Sequence, residues 1–195
     1  NAAAAATKAA CERSLKRLRT DRIDLYLLHW PGSIPIAETV EAFERLREAG
    51  KIVRWGVSNF DTRAMCSLEA TKNGRHCATN QVLYNLSERG VEFDLLPWCA
   101  GRQMPVMAYS PVNQGALATH RKLAALAAAH DVTAAQLALA WTMRDPRVIT
   151  IPKSSTLARV DENRRAAALV LTPDVTRQLD GLFPPPRGAA PLAML

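Results

Sequence analysis

Five short apolar segments of the sequence are each followed or closed by hydrogen-bonding side chains, the groups best suited to chemistry. The first segment leads into a histidine, the second into a serine and an asparagine, and the third contains a glutamine. A tyrosine closes the fourth segment, and a lysine with two serines follows the fifth. These residues are His29, Ser58, Asn59, Gln81, Tyr109, Lys153, Ser154 and Ser155. One polar segment end is ordinary turn chemistry, but five in succession indicate a lined pocket.

Each residue type suits a particular task, and each also has a structural explanation. A neutral imidazole such as that of His29 can donate a hydrogen bond to a carbonyl oxygen that gains negative charge. Asparagine and glutamine carry both donors and acceptors, so they can hold an amide, and a tyrosine face can stack on another ring. The alternatives are a core histidine and a core tyrosine at strand ends, and a loop at Ser58 and Asn59 that only enters a helix capped by Asp61.

A basic cluster near the end of the sequence predicts an anion site. It consists of Lys153, Arg159, Arg164 and Arg165. We expect a helix to open at Ser154 and Ser155, and a helix N-terminus favours a bound anion. The alternative is a basic, solvated start of a helix.

The segments that position these groups alternate between buried strands and amphipathic helices. Strands are expected at residues 23–28, 52–57, 79–83, 105–109 and 148–151. Helices are expected at residues 37–49 and 62–72, from Thr133 to about Met143, and from Thr172. The order favours parallel strands with crossover helices, in an open doubly wound sheet or a closed barrel. The sequence lacks the GxGxxG motif that is typical of the open nucleotide fold.

The composition of the chain disfavours membrane, metal-binding and nucleic-acid-binding functions. The chain has 195 residues, 48% of them hydrophobic, and a net charge of +7. We expect a globular, cytoplasmic protein, because no apolar run is long enough for a membrane span, no basic segment opens the chain and the four cysteines are scattered. No cysteine or histidine spacing predicts a metal site. Nucleic-acid binding rests on the charge alone and is not favoured.

The alanine run at residues 2–6 is a helix start or a stretch whose side chains were not assigned.

The motifs LLHWP, GVSNF, NQVLYN, AYSP and IPKSS, in this order, resemble the aldo-keto reductase family over nearly the whole chain. The resemblance is to bacterial NADPH-dependent aldehyde and ketone reductases. It implies an α/β fold, the (β/α)8 TIM barrel, of which this chain would cover about the last five βα units plus extra C-terminal helices. Residues 1–195 would form a single domain, and the N-terminal third of the family's barrel is expected to be absent from the sequence.

The resemblance also implies roles for individual residues. His29 matches the active-site histidine that polarises the carbonyl, and Trp30 beside it is expected to line the substrate side. The nicotinamide end of NADPH is expected at Ser58, Asn59, Gln81 and Tyr109. The pyrophosphate is expected along Ser110, Gln114 and Gly115. The 2′-phosphate and adenine are expected at Lys153, Ser154, Arg159, Glu162 and Asn163.

The proton donor of the family, a tyrosine tuned by a lysine and an aspartate, comes from strands that precede this region, so none of the three can be carried over. We therefore expect an NADPH-dependent oxidoreductase that reduces a small carbonyl substrate to an alcohol. The alternative is a catalytically weak NADPH-binding regulatory or sensor barrel. A monomer is slightly favoured, and no nucleic-acid or membrane partner is expected.

Overall fold

A computed structural model describes residues 3–195, which divide into two compact units. The first unit ends at Gln81, and the second is Val82–Leu195. In the described part of the first unit, helices and strands alternate along the sequence. They are α1 (Ala4–Leu18), β1 (Ile23–Leu28), α2 (Ile36–Glu48), β2 (Ile52–Ser58), α3 (Thr62–Glu69), a short 3-10 turn (Gly74–His76) and β3 (Cys77–Leu83), whose last two residues belong to the second unit. The prediction of a single domain stays a prediction.

The second unit continues the alternation and adds helices at its end. Its elements are α4 (Leu95–Ala100), β4 (Val106–Tyr109), α5 (Arg121–Ala128), α6 (Ala134–Thr142), β5 (Val148–Thr150), α7 (Leu157–Ala166) and α8 (Pro173–Leu182). Short 3-10 turns lie at Gly90–Glu92, Asn113–Gly115 and Leu117–Thr119. In the described chain, no helix is both long and apolar enough to cross a membrane.

The strands of each unit pair in parallel. In the first unit β2 lies between β1 and β3, and in the second β4 pairs with β5. The register of β2 against β3 shifts between Trp55 and Val57, at Gly56. A Cβ atom at Gly56 would lie 2.6 Å from the backbone oxygen of Thr79, so only glycine allows this close approach.

Helix caps and strand positions agree with the sequence-based predictions. The Asp61 carboxylate accepts a hydrogen bond from the Ala64 amide at 2.7 Å and caps α3. Thr133 and Gln136 form the expected capping box of α6, and the Thr172 side chain caps α8. All five predicted strands are confirmed, with ends that differ by up to two residues.

Three details of the predictions were wrong. Helix α3 ends at Glu69 instead of residue 72, because the Thr71 hydroxyl and amide both bond to the Leu68 carbonyl and close the last turn. Strand β1 was expected to be buried, but its residues are half-buried or exposed. Among the described residues of the first unit only β2 pairs with it. The third is the start of α7, which lies at Leu157, later than predicted.

A buried carboxylate organises the core of the first unit. Glu44 of α2 is only 4% exposed and accepts hydrogen bonds from Trp55 Nε1 and Arg47 Nη2, both at 2.6 Å. His76 Nδ1 lies 3.0 Å from the same carboxylate. Burial raises the pKa of Glu44, but the hydrogen bonds from Arg47, Trp55 and His76 outweigh it and hold the pKa below its usual value. The charged form therefore stabilises the fold.

We expect Glu44→Gln to lower the free energy of unfolding by about 1–2 kcal/mol at neutral pH, since the new amide meets Arg47 with a second donor. A depressed pKa gives stability that is present above the ordinary pKa and is lost as the pH falls through the folded-state value. The difference between wild type and variant should thus begin to shrink only below the ordinary glutamate pKa of about 4.3 and should be lost as the pH falls through the lower folded-state pKa of Glu44. Urea unfolding across pH measures it, with the exposed Glu41→Gln as control. If wild type and Glu44→Gln still differed as much in free energy of unfolding at acidic pH, the stabilising role of the Glu44 carboxylate would be contradicted.

Candidate functional site

In the first unit, the predicted nicotinamide residues form one hydrogen-bonded group at the carboxyl ends of the strands. We call Ser58, Asn59 and Gln81, with the backbone carbonyl of His29, the strand-end cluster. The Ser58 hydroxyl donates to the Gln81 carbonyl at 2.8 Å, and the Asn59 amide N–H donates to the same carbonyl at 2.9 Å. Asn59 Nδ2 donates to the His29 carbonyl at 3.1 Å and lies 3.2 Å from Ser58 Oγ. Three consecutive strand ends are therefore joined through polar groups.

The backbone of the cluster is held in an unusual conformation. Asn59 has a φ of +62°, in the left-handed region that few residues other than glycine adopt. The next residue, Phe60, is braced by the buried Asn80, whose Nδ2 donates to the Phe60 carbonyl at 2.7 Å. Asn80 lies beside Gln81 on β3 and was not among the predicted site residues. Its sequence signal, a polar residue inside a buried strand, was visible but did not indicate which loop it holds.

His29 and Trp30 lie at the exposed end of β1. Their rings stack with centroids 5.4 Å apart and an interplanar angle of 30°. Trp30 is 41% exposed although its side chain is large and apolar. Part of the tryptophan ring is thus open to solvent beside the histidine at this strand end. The predicted substrate roles of the two residues are compatible with this placement.

In the second unit, a cavity of about 590 Å³ collects most of the remaining predicted residues. We call it the phosphate groove. Eight predicted cofactor residues line it: Ser110, Gln114, Gly115, Lys153, Ser154, Arg159, Glu162 and Asn163. The volume lies within the usual range for small-molecule sites. These eight residues come from two separate stretches of the sequence, 110–115 and 153–163, that the fold brings to one concave surface.

The groove divides the basic cluster into two pairs. Lys153 and Arg159 line the groove, whereas Arg164 and Arg165, which the structure also describes, are exposed on α7 and are not among its lining residues. Two positive charges in one concavity favour an anion such as a phosphate. Only half of the cluster is therefore placed for the predicted phosphate contact.

The predicted helix start at Ser154 and Ser155 was wrong. Helix α7 begins at Leu157, and Thr156 is its N-cap residue. The Ser154 hydroxyl bonds instead within its own loop, donating to the Thr156 carbonyl at 3.1 Å and accepting from the Thr156 amide at 3.3 Å. This local turn offers the backbone an alternative to the helix. Ser154 still lines the groove, but as part of a loop.

Glu162 is tied to the neighbouring helix α6. Its carboxylate accepts a hydrogen bond from the Thr133 hydroxyl, and its backbone carbonyl accepts one from Gln136 Nε2 at 3.3 Å. Thr133 also lines the groove but was not among the predicted site residues. The sequence predicted Thr133 only as the cap of α6, and the structure confirms that role. Because capping already explained the residue, nothing in the sequence indicated that it also lines the groove and binds Glu162. The carboxylate of Glu162 is accordingly held in a fixed direction.

The loop at residues 110–115 forms one wall of the groove and carries four left-handed backbone conformations. The φ angles are +48° at Ser110 and Asn113, +53° at Gln114 and +97° at Gly115. Glycine adopts such angles without cost, but the other three do not. Conformations of this kind persist only where the surroundings enforce them, and they concentrate at functional sites.

Tyr109, at the end of β4, directly precedes this loop. It is half-buried, and burial raises the pKa of its phenol, while a hydrogen bond with the backbone of Leu195 acts in the opposite direction. The phenol is neutral near physiological pH and presents an aromatic ring. Tyr109 is not among the lining residues of the groove within the described chain. Its predicted stacking role stays a prediction.

Comparison with known proteins gives these features a family context. Residues 2–183 match the model of the "Aldo/keto reductase family". Methylglyoxal reductase YeaE of Escherichia coli (strain K12) is 48% identical over 191 residues, which are 95% of this chain and 67% of that protein. Glyoxal reductase of Bacillus subtilis (strain 168) is 35% identical over 90% of this chain and 62% of its own length. This chain spans about two thirds of the length of these relatives.

Solved structures agree with the sequence match. An aldo/keto reductase from Klebsiella pneumoniae, crystallised with NADP and acetate, has 50% sequence identity and a TM-score of 0.96. The match covers 98% of this chain and 69% of that one. The expected α/β barrel fold class is confirmed, with five parallel strands in the described residues as part of a (β/α)8 barrel. This chain belongs to the aldo/keto reductase family.

Proposed function

We propose that this protein reduces small aldehydes or ketones to alcohols and takes the reducing equivalents from NADPH. The observation that carries the proposal is the phosphate groove, which is lined by Lys153 and Arg159 together with the strained 110–115 loop. The oxidoreductase class and the NADPH cofactor are those of the aldo/keto reductase family, and two structures of the Klebsiella pneumoniae relative contain NADP or NADPH.

The groove fits the phosphate-bearing end of the cofactor. Lys153 supplies a compact positive charge and Arg159 a planar one that can also stack on a base. Glu162, held by Thr133, supplies an acceptor in a fixed direction for an exocyclic amine. Asn163 supplies both a donor and an acceptor on the same surface. This combination distinguishes a phosphorylated adenosine from a simple inorganic anion.

The strand-end cluster fits the opposite end of the cofactor and the substrate. When bound, NADPH supplies a hydride to the carbonyl carbon. Asn59 and Gln81 are suited to hold a carboxamide, because each side chain has a donor and an acceptor. His29, exposed beside Trp30, donates a hydrogen bond to the carbonyl oxygen of the substrate as negative charge develops on it. The relatives that reduce methylglyoxal and glyoxal indicate small dicarbonyl compounds as the first substrates to test.

The second candidate is a regulatory or sensor protein that binds NADPH with little turnover, and the tyrosines of this chain do not decide between the two candidates. The chain has three tyrosines, and burial raises the pKa of each one: Tyr26, Tyr84 and Tyr109. A tyrosine that donates a proton near neutral pH needs a lowered pKa. Tyr84 is in addition bonded to Glu92 and Arg144 in the core. None of the three is therefore prepared as a general acid in the described structure.

Steady-state turnover separates the two candidates. We expect the protein to oxidise NADPH in the presence of methylglyoxal or glyoxal, measured as loss of NADPH absorbance, and to show much less turnover with NADH. A parallel fluorescence titration measures NADPH binding without substrate. Binding without turnover would support the regulatory or sensor alternative. Absence of both binding and turnover would overturn the proposed function altogether.

A further inference from the structure

We propose that Asn85 is a positioning residue that holds the 110–115 loop in its cofactor-binding conformation. The inference rests on the proposed function of the phosphate groove and extends it to a residue that does not line the groove. Asn85 follows β3 and is fully buried, at 0% exposure. A buried asparagine is expensive unless its polar groups are paired, so its hydrogen bonds define its role.

The two ends of the Asn85 side chain have different partners. Oδ1 accepts hydrogen bonds from the backbone amides of Ser87 at 2.9 Å and Glu88 at 3.0 Å. Nδ2 donates to the carbonyl of Ser110 at 3.0 Å. Because amides surround one end and a carbonyl faces the other, the orientation of the side chain is determined. Asn85 thus links the turn after β3 to the first residue of the groove wall.

Ser110 is the residue of that wall whose backbone most needs support. It adopts a φ of +48° and directly precedes Pro111, which further restricts its conformation. Its carbonyl accepts two hydrogen bonds, one from Asn85 Nδ2 and one from the Asn113 amide at 2.8 Å. Asn113 is itself left-handed, so the second bond lies inside the strained loop. Asn85 provides the support from outside the loop.

The turn at residues 85–88, to which the Asn85 side chain is bonded, is itself held by hydrogen bonds and ion pairs. The turn is closed by backbone hydrogen bonds between Asn85 and Glu88 in both directions, at 3.3 Å and 3.1 Å. Arg89 follows immediately, and its side chain is only 7% exposed in an ion-pair network with Glu92 and Asp180. A residue fixed to such a base can hold a strained neighbour at a constant position. The loop is therefore prepared for the ligand before the ligand binds, which lowers the ordering cost of binding.

Two substitutions separate this role from a purely structural one. Asn85→Ser keeps an oxygen that can accept from the turn amides but is too short to reach the Ser110 carbonyl. Asn85→Asp keeps the shape and the acceptor, but a carboxylate cannot donate to that carbonyl, whereas a protonated carboxyl group can. Asn73→Asp, at an exposed and also left-handed position in the first unit, is the matched control.

The readout is the dissociation constant for NADPH from fluorescence titration between acidic and mildly alkaline pH, with circular dichroism to verify folding. We expect Asn85→Ser to weaken binding about tenfold at every pH, the size of one lost buried hydrogen bond. Asn85→Asp should show a similar loss at alkaline pH and regain affinity, relative to wild type, as the introduced carboxyl group is protonated. Asn73→Asp should bind like wild type.

Wild-type affinity in folded Asn85→Ser, or a loss in Asn85→Asp that does not change with pH relative to wild type, would overturn the positioning role. If Asn85→Asp does not fold, the neutral Asn85→Ser variant still decides the question. If wild type itself does not bind NADPH, the proposed function fails instead, and the positioning role fails with it. The two failures are thus distinguished by the wild-type titration.

Discussion

Arg159→Ala is expected to weaken NADPH binding about 10- to 150-fold, corresponding to about 1.5–3 kcal/mol for a lost charge-assisted hydrogen bond. NADH binding should fall far less, because NADH lacks the 2′-phosphate and would lose only the stacking of Arg159 on the adenine. Arg159 lines the phosphate groove and its side chain is exposed, so its removal should leave folding intact. Fluorescence titration with both cofactors measures the ratio of the two dissociation constants.

Arg165→Ala is the matched control for this prediction. Arg165 lies on the same helix as Arg159 and carries the same charge, but it is not among the groove-lining residues of the described chain. It should reduce affinity only slightly through the general field, and added salt should remove that effect. Lys153→Ala should resemble Arg159→Ala. An equal loss for NADPH and NADH would contradict the assignment of Arg159 to the 2′-phosphate.

Arg89→Ala is expected to lower the free energy of unfolding by about 3–5 kcal/mol, the usual cost of removing one partner of a buried ion pair. Arg89 donates to Glu92 at 2.8 Å and 3.0 Å, to Asp180 at 2.7 Å and to the carbonyl of Phe183. Its guanidinium also lies 4.7 Å from the centre of the Trp141 ring. The substitution would leave the partly exposed carboxylates of Glu92 and Asp180 without this donor and would loosen α8 from the rest of the second unit.

Thermal or urea unfolding measures this loss, and two variants calibrate it. Arg177→Ala removes an arginine–carboxylate pair of the same type, with Asp174, but both of its side chains are largely exposed. It should leave the free energy of unfolding almost unchanged, because an exposed ion pair contributes little to stability. Arg89→Lys keeps the charge but not the planar fork, so its effect should be intermediate. An Arg89→Ala effect as small as that of Arg177→Ala would show that the network contributes little to stability.

The sequence predicted those features that depend on local chemistry. The caps at Asp61, Thr133 and Thr172 were predicted correctly, because a cap needs only residues within one turn. Strand positions were also predicted well, since short β-branched apolar segments have few other stable conformations. The start of α7 was not, because Ser154 can bond either to a helix end or to its own turn, and sequence does not decide between them.

In the candidate site, too, the sequence predicted some features and missed those that depend on distant partners. Five motifs in order were enough to predict the family and the fold class, and eight of the predicted site residues line the groove. Asn80, Asn85 and Thr133 were not predicted to support the site, although all three are visible as polar residues in the sequence. Each acts on a partner at least 20 residues away: Phe60, Ser110 and Glu162 respectively. Residue type alone cannot reveal such a partner.

By itself, the sequence determined which groups are available for chemistry: a histidine beside a tryptophan, amide side chains at strand ends, and a lysine and arginines near the end of the chain. Tertiary structure decided which of these groups meet. It placed Lys153 and Arg159 in the groove but left Arg164 and Arg165 on the surface of α7. The physical reason is that charge is a property of the residue, whereas a binding site depends on which side chains the packed helices and strands direct toward the same cavity.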